Sequence, residues 1–149
     1  MIELRTVLYG QAEHLAEAMS DEMKVLYEDD EGASPAVAAD FSPPIGVFLV
    51  GAVDGADVAC GGLRLLAEGV GEVKRMYVDP AHRGRGYSRV LLRALVQHAR
   101  DVELREFWLE TGIRQPVAVA LYESEGFAPI QPFGYWADHP ETRCFSLTL

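Results

Sequence analysis

Residues Asp79–Leu92 read DPAHRGRGYSRVLL. An Asp-Pro pair is followed by two glycines set among arginines, and an apolar run begins at once. Val90, Leu91, Ala94, Leu95, His98 and Ala99 carry that run at helical spacing through about Arg100. Ahead of it, GEVKRMYVD (Gly71–Asp79) reads as a strand. The unit is strand, glycine turn, helix, which is a general anion site. The first N–H groups of a helix have no partner inside it and point outward. Gly84 and Gly86 lack a Cβ, so a phosphate can approach the main chain closely. Two alternatives fail on the letters. The dinucleotide fingerprint wants G-x-G-x-x-G, and GRGYSR puts Arg89 in the third glycine's place. The nucleotide-triphosphate loop wants G-K-[ST] after four intervening residues, and the chain has none.

Working outward, IELRT (Ile2–Thr6) alternates as a first strand. From Gln11 to Tyr27, Leu15, Ala18, Met19, Met23 and Leu26 recur as one face of an amphipathic helix. Glu28–Pro44 is rich in breakers and reads as a loop with room for a short helix; a loop of that length in a small domain is often functional. GVFLVGAV (Gly46–Val53) is a strand, DGAD (Asp54–Asp57) a hairpin turn, and VACGGLRLLAE (Val58–Glu68) the returning strand. Beyond the central unit, EFWLET (Glu106–Thr111) is a strand and QPVAVALYESEGF (Gln115–Phe127) a helix. Pro116 sits in its first turn and Gly126 just past its end. RCFSLTL (Arg143–Leu149) closes the chain as a strand. The order is β, α, a run of antiparallel strands, then β-α-β-α-β. That is one mixed α/β domain, residues 1–149, with helices covering a central sheet.

The chain has 149 residues, 49% of them hydrophobic, enough for a full core and against disorder. Its longest uncharged stretch, Phe41–Val53, contains Pro43 and Pro44 and is too short to cross a bilayer, so no membrane role is expected. MIELRTVLYG lacks a basic region followed by an apolar run, so no signal peptide is expected. Cys60 and Cys144 fit no metal spacing; two buried, reduced thiols in a cytoplasmic protein are expected, and no metal. Net charge is −10, unevenly spread. Residues 74–105 hold eight basic side chains against three acidic ones, a local +5 that leaves −15 for the rest. A nucleic-acid binder would need a broader basic face. One basic segment in an acidic chain suits a grip on a small anion, and the acidic remainder suits a cationic substrate.

VDPAHRGRGYS resembles the acyl-coenzyme A signature of the GNAT superfamily of N-acetyltransferases, [RQ]-x-x-G-x-[GA] after a strand ending V-x-P. Arg83 and Gly86 match, and Ser88 stands where Gly or Ala is usual. GEVKRMYV is similar to that family's fourth strand, WLETG to the fifth, and QPVAVALYESEGF, with its LY…GF ending, to the helix that follows. These matches span residues 72–127. The resemblance implies a mostly antiparallel mixed sheet of about six to seven strands, helices on both faces, and splayed fourth and fifth strands.

It also implies acetyl-CoA as cosubstrate. The pantetheine arm would pair with free main-chain groups of Met76 and Val78, beside Tyr77. The pyrophosphate would meet the loop Arg83, Gly84, Arg85, Gly86, Tyr87 and Ser88, with Gln115 across the gap. Ser88 is small enough to keep close approach, and its hydroxyl is expected to cap the helix.

The implied reaction is direct transfer of acetyl to a primary amine of a small molecule or peptide. Tyr122 is the implied general acid toward the coenzyme sulfur. Glu72 is the implied base, through water; its alternative is a surface carboxylate paired with Lys74 or Arg75. Glu110 on strand five is a rival, more readily a structural or substrate-orienting carboxylate. His82 is expected to be exposed rather than catalytic. The acceptor is expected to be chosen by the first helix, the loop Glu28–Pro44 and FGYWADHPETR (Phe133–Arg143), with Tyr135 and Trp136. The acidic cluster Glu28, Asp29, Asp30 and Glu31 either attracts a cationic amine or is a solvated loop. A catalytically silent acyl-CoA-binding module on the same fold is the competing reading. A homodimer through the apolar C-terminal strand is what analogy offers for assembly.

Overall fold

Val47 to Val50 alternate between the two faces of one strand, and each face has its own core. Val47 and Leu49 pack with Leu91, Leu92, Leu95 and Phe107. Phe48 and Val50 pack with Leu15, Phe41 and Cys60. Period-two alternation thus builds a sheet covered on both sides. The computed structural model of the chain describes residues 1–29 and 31–149. Its strands are β1 (Glu3–Thr6), β2 (Val47–Val53), β3 (Ala56–Ala67), β4 (Val70–Val78), β5 (Glu106–Gly112), β6 (Ala128–Ile130) and β7 (Thr142–Thr148). They form a single seven-stranded sheet in the order β1-β2-β3-β4-β5-β7-β6. Every neighbouring pair is antiparallel except β4 with β5. The expected mixed, mostly antiparallel architecture is present.

Helix α1 (Glu13–Tyr27) buries Leu15, Ala16 and Met19 on one face of the sheet, and a left-handed Glu28 at φ 53° ends it. Helix α2 (Tyr87–Asp101) buries Leu91, Leu92, Leu95, Val96 and Ala99 on the other. Each fully buried leucine contributes about 1.5–3 kcal/mol, so packing holds α2 far more firmly than its surface charges do. Helix α3 (Pro116–Ser124) joins the α2 side through Leu121 and Tyr122. A 3-10 turn, Ala38–Phe41, is the short helix that the Glu28–Pro44 loop had room for. It brings Phe41 into an aromatic trio with Tyr9 and Phe48, ring centroids 5.0 Å apart.

Among the strands, β6 is the one the sequence reading lacked. Its three residues include Pro129, which cannot donate to a ladder and is tolerated because β6 forms the sheet's edge. Among the described residues, no helix is long and apolar enough to cross a membrane. Cys60 and Cys144 are buried and unpaired, as expected. Asp30, one of the four acidic loop residues, lies outside the described residues.

Candidate active site

The site begins where two strands part. β4 and β5 are joined only at Val70 with Glu106, Gly71 with Phe107 and Glu72 with Trp108. Beyond Glu72, β4 stays with β3 as far as Val78, and β5 stays with β7 as far as Gly112. The facing edges therefore diverge, as the resemblance implies. A bulge sharpens the opening. Arg75 takes φ 61°, the β3–β4 register slips beside it, and the Cys60 thiol donates to the Arg75 carbonyl at 3.2 Å. Asp79 N–H donates to Val58 O and Tyr77 pairs with Cys60, so alternation turns Met76 and Val78 toward the gap. The Val78 carbonyl, expected to be free, accepts Arg83 Nε at 2.8 Å; what β4 leaves open there is the Val78 amide.

The turn after β4 follows from its residue types. Asp79 Oδ1 accepts the Ala81 N–H at 2.9 Å and shapes a 3-10 turn over Pro80–His82. Gly84 and Gly86 both sit at φ 79°, and a Cβ on either would meet nothing within 4 Å. Backbone conformation demands glycine there, and the space above the loop is open. Gly86 is the N-cap of α2, and no side chain caps the helix. Ser88, expected to cap, is the second helical residue and makes no such bond; the glycine turn already supplies the cap position. The first-turn amides are left to face outward.

The arginines of the turn divide. Arg83 Nη2 grips both carboxylate oxygens of Glu22 at 2.8 and 2.9 Å, and its guanidinium lies 5.6 Å from the Tyr77 ring centre. That side chain fastens α1 to the turn. Arg89 bonds Ser124 and Glu125 at 2.9 and 2.7 Å, and Arg93 shares Glu125 at 2.8 Å. Arg85 is exposed and has no ion pair among the described residues. His82 is half-buried, its Nδ1 3.7 Å from Asp79 Oδ1, and it does not line the crevice.

The crevice has about 910 Å³ of empty space open to solvent and brings together Glu72, Met76, Glu110, Gln115 and Tyr122. Tyr122 is 7% exposed and packs edge-on to Phe127 with centroids 6.0 Å apart. Burial pushes its hydroxyl up to about 12. Glu72 is 3% exposed, not the surface carboxylate of the alternative reading. Its Oε1 accepts Arg64 Nε at 2.9 Å rather than pairing with Lys74 or Arg75, and Arg64 Nη1 reaches Asp40 at 3.3 Å. Arg64 thus ties the long loop to the base of the opening. Glu110 lines the same crevice, two residues past the Glu72–Trp108 rung. Burial raises its carboxyl above the ordinary range, opposed by Lys74 and by the Trp136 N–H, which donates to Oε2 at 3.4 Å.

The far wall combines Tyr27 with Trp136, His139 and Glu141. The Trp136 carbonyl accepts the Thr142 hydroxyl at 2.7 Å, and Tyr135 donates to Glu31 at 2.7 Å. The first helix, the long loop and Phe133–Arg143 therefore meet at one mouth. Lys74 also lines the crevice and was missed as a site residue. In the sequence it counts only within the basic segment 74–105 and as a surface partner for Glu72; its two-residue spacing from Glu72 on a strand was the available signal.

The pattern that defines the acetyltransferase (GNAT) family matches residues 12–127. A Klebsiella pneumoniae chain assigned to the acyl-CoA N-acyltransferases is 31% identical and superposes with a TM-score of 0.82, covering 100% of this chain and 98% of that one. The chain belongs to the GNAT acetyltransferase family. An IAA acetyltransferase of Azospirillum brasilense is 43% identical over 94 residues, 62% of this chain and 61% of that protein. The chain spans about three-fifths of the length of two curated relatives it matches, and less than a third of several others. The PaiA N-acetyltransferase of Thermoplasma acidophilum, solved in complex with coenzyme A, is 17% identical with a TM-score of 0.76 over 100% of this chain and 99% of that one; it shares the fold.

Proposed function

We propose that the chain transfers an acetyl group from acetyl-CoA to a primary amine of a small molecule or peptide. The observation that carries this reading is the parting of β4 and β5 at Glu72, with Tyr122 lining the same opening and an open glycine turn following β4 in the chain.

When bound, acetyl-CoA supplies the acyl group as a thioester. The chain's own groups account for the rest. Met76 and the Val78 amide offer main-chain partners to the arm, beside Tyr77. The loop Arg83–Gly86 and the amides of Tyr87 and Ser88 offer donors to the diphosphate, with Gln115 on the opposite wall. A hydrogen bond to a charged group contributes about 1.5–3 kcal/mol. An exposed ion pair such as Arg85 would make contributes about 0–1 kcal/mol. The amides therefore dominate. An amine of lysine type keeps its proton up to about pH 10, so the acceptor must lose one. Glu72 takes it, through water. Burial of Glu110 gives it a higher proton affinity than an exposed carboxylate, which makes it the second candidate. As the C–N bond forms and the C–S bond breaks, Tyr122 gives its proton to the sulfur. With its hydroxyl pushed to about 12, it is still protonated at neutral pH.

Two buried unpaired thiols fit a reducing compartment, and on that ground we assign the activity to the cytoplasm. Thiol release from acetyl-CoA across a panel of amines tests the proposal. Release above the acceptor-free rate supports it. Coenzyme A binding with no release from any amine favours the silent acyl-CoA-binding module.

A further inference from the structure

Lys74 is 7% exposed and lines the crevice, on β4 two residues after Glu72. Its ammonium has three donors and no acceptor. One goes to the Ser34 hydroxyl, itself buried. No carboxylate lies within 4.0 Å of it among the described residues. The four acids that line its crevice among the described residues are engaged elsewhere: Glu72 turns to Arg64, Glu110 takes the Trp136 N–H, Glu141 holds Arg114, and Asp29 accepts the Glu31 and Gly32 N–H groups. A buried cation is normally paired, because water has been removed from it. Among the described residues its one direct partner is a neutral hydroxyl; Glu72 and Glu110 act on it only from beyond 4.0 Å, and the cavity beside it is open.

We propose that Lys74 seats a carboxylate of the acceptor, so that the acceptor is an amino acid with an apolar or aromatic side chain. Its carboxylate lies on Lys74 and its amine faces Glu72 and Glu110. Its side chain lies against Tyr27, Met23 and Trp136, which line the same cavity. Burial, with Arg64 and Arg75 nearby, holds the Lys74 pKa below its ordinary value against the opposing pull of Glu72 and Glu110; a bound carboxylate adds to the opposing side. The placement of the amine rests on the acyl-transfer reading. The placement of the carboxylate does not.

Calorimetric titration of the full chain, saturated with coenzyme A, separates the two. The probes are 3-phenylpropionate, which has the carboxylate and no amine, and its neutral amide. Wild type is expected to bind the carboxylate at least tenfold more tightly than the amide. K74M is expected to lose that preference, and K74R to keep most of it. Equal binding of the carboxylate by wild type and K74M, or no binding by wild type, overturns the proposal. Should K74M not fold, the wild-type enzyme decides alone. Thiol release with phenylalanine must exceed that with phenethylamine in kcat/KM, and the reverse order overturns the assignment. Lys74-dependent carboxylate binding without thiol release from any amine removes the acyl-transfer reading and leaves the carboxylate seat standing.

Discussion

Glu72 and Trp108 form the last rung between β4 and β5. Past that pair the two strands keep their outer partners and lose each other, so the unpaired edges face one another across a crevice. Glu72 is thus the residue at which a continuous sheet becomes a binding site, and its carboxylate is held there by Arg64 at 2.9 Å.

Tyr122→Phe should lower kcat by about 10²-fold, the low end for loss of a positioned acid, with the KM for acetyl-CoA changed less than twofold. Because burial pushes this hydroxyl to about 12, it does not titrate below pH 10. The alkaline limb of the pH–rate profile should therefore be the same in the variant. Steady-state kinetics from pH 6 to 10 checks both points.

Glu110 can be tested by stability as well as by rate. Glu110 has a raised proton affinity in the folded state. The folded chain then binds more protons than the unfolded one once pH exceeds the ordinary carboxylate pKa, and stability falls as pH rises through that window. Glu110→Gln removes the effect. Urea unfolding at pH 4 and pH 7 should show the variant gaining on wild type at the higher pH. In the rate profile, Glu72→Gln should remove the acidic limb and Glu110→Gln should retain it.

Gly86→Val should weaken coenzyme A binding more than Arg85→Ala. Valine at φ 79° is strained and sets a side chain over open amides. Arg85 is an exposed charge worth at most about 1 kcal/mol, or roughly fivefold in Kd. Calorimetric titration gives the order, with a thermal melt to show that both variants are folded.

Cys60 should resist a thiol reagent at pH 8. Burial pushes its thiol up to about 12, and its hydrogen goes to the Arg75 carbonyl. Native protein treated with an aromatic disulfide should leave Cys60 unlabelled, and denatured protein should release two equivalents.

Most of the fold was legible because period and punctuation agreed. The stripe of α2, the strand alternation around Phe48 and the glycines of the turn each have a local physical cause. β6 was not legible, since three residues with a central proline carry no period and are held only by β7. Partners distant in sequence were hidden as well. Nothing local says that Arg83 will be taken by Glu22, that Arg64 will meet Glu72, or that Lys74 will lie against Ser34. A run of basic residues reads as one positive patch, yet the fold assigns most of its members to separate structural tasks. Main-chain donors, which need only backbone geometry, could be foreseen more reliably than side-chain roles.

A crystal structure of the complex with acetyl-CoA bears most directly on the whole account. The arm is expected between the diverging edges, against Met76 and the Val78 amide, with the diphosphate on the amides from Arg83 to Ser88 and the thioester beside Tyr122. A complex in which the β4–β5 crevice stays empty, or the diphosphate rests on side chains away from that turn, contradicts it.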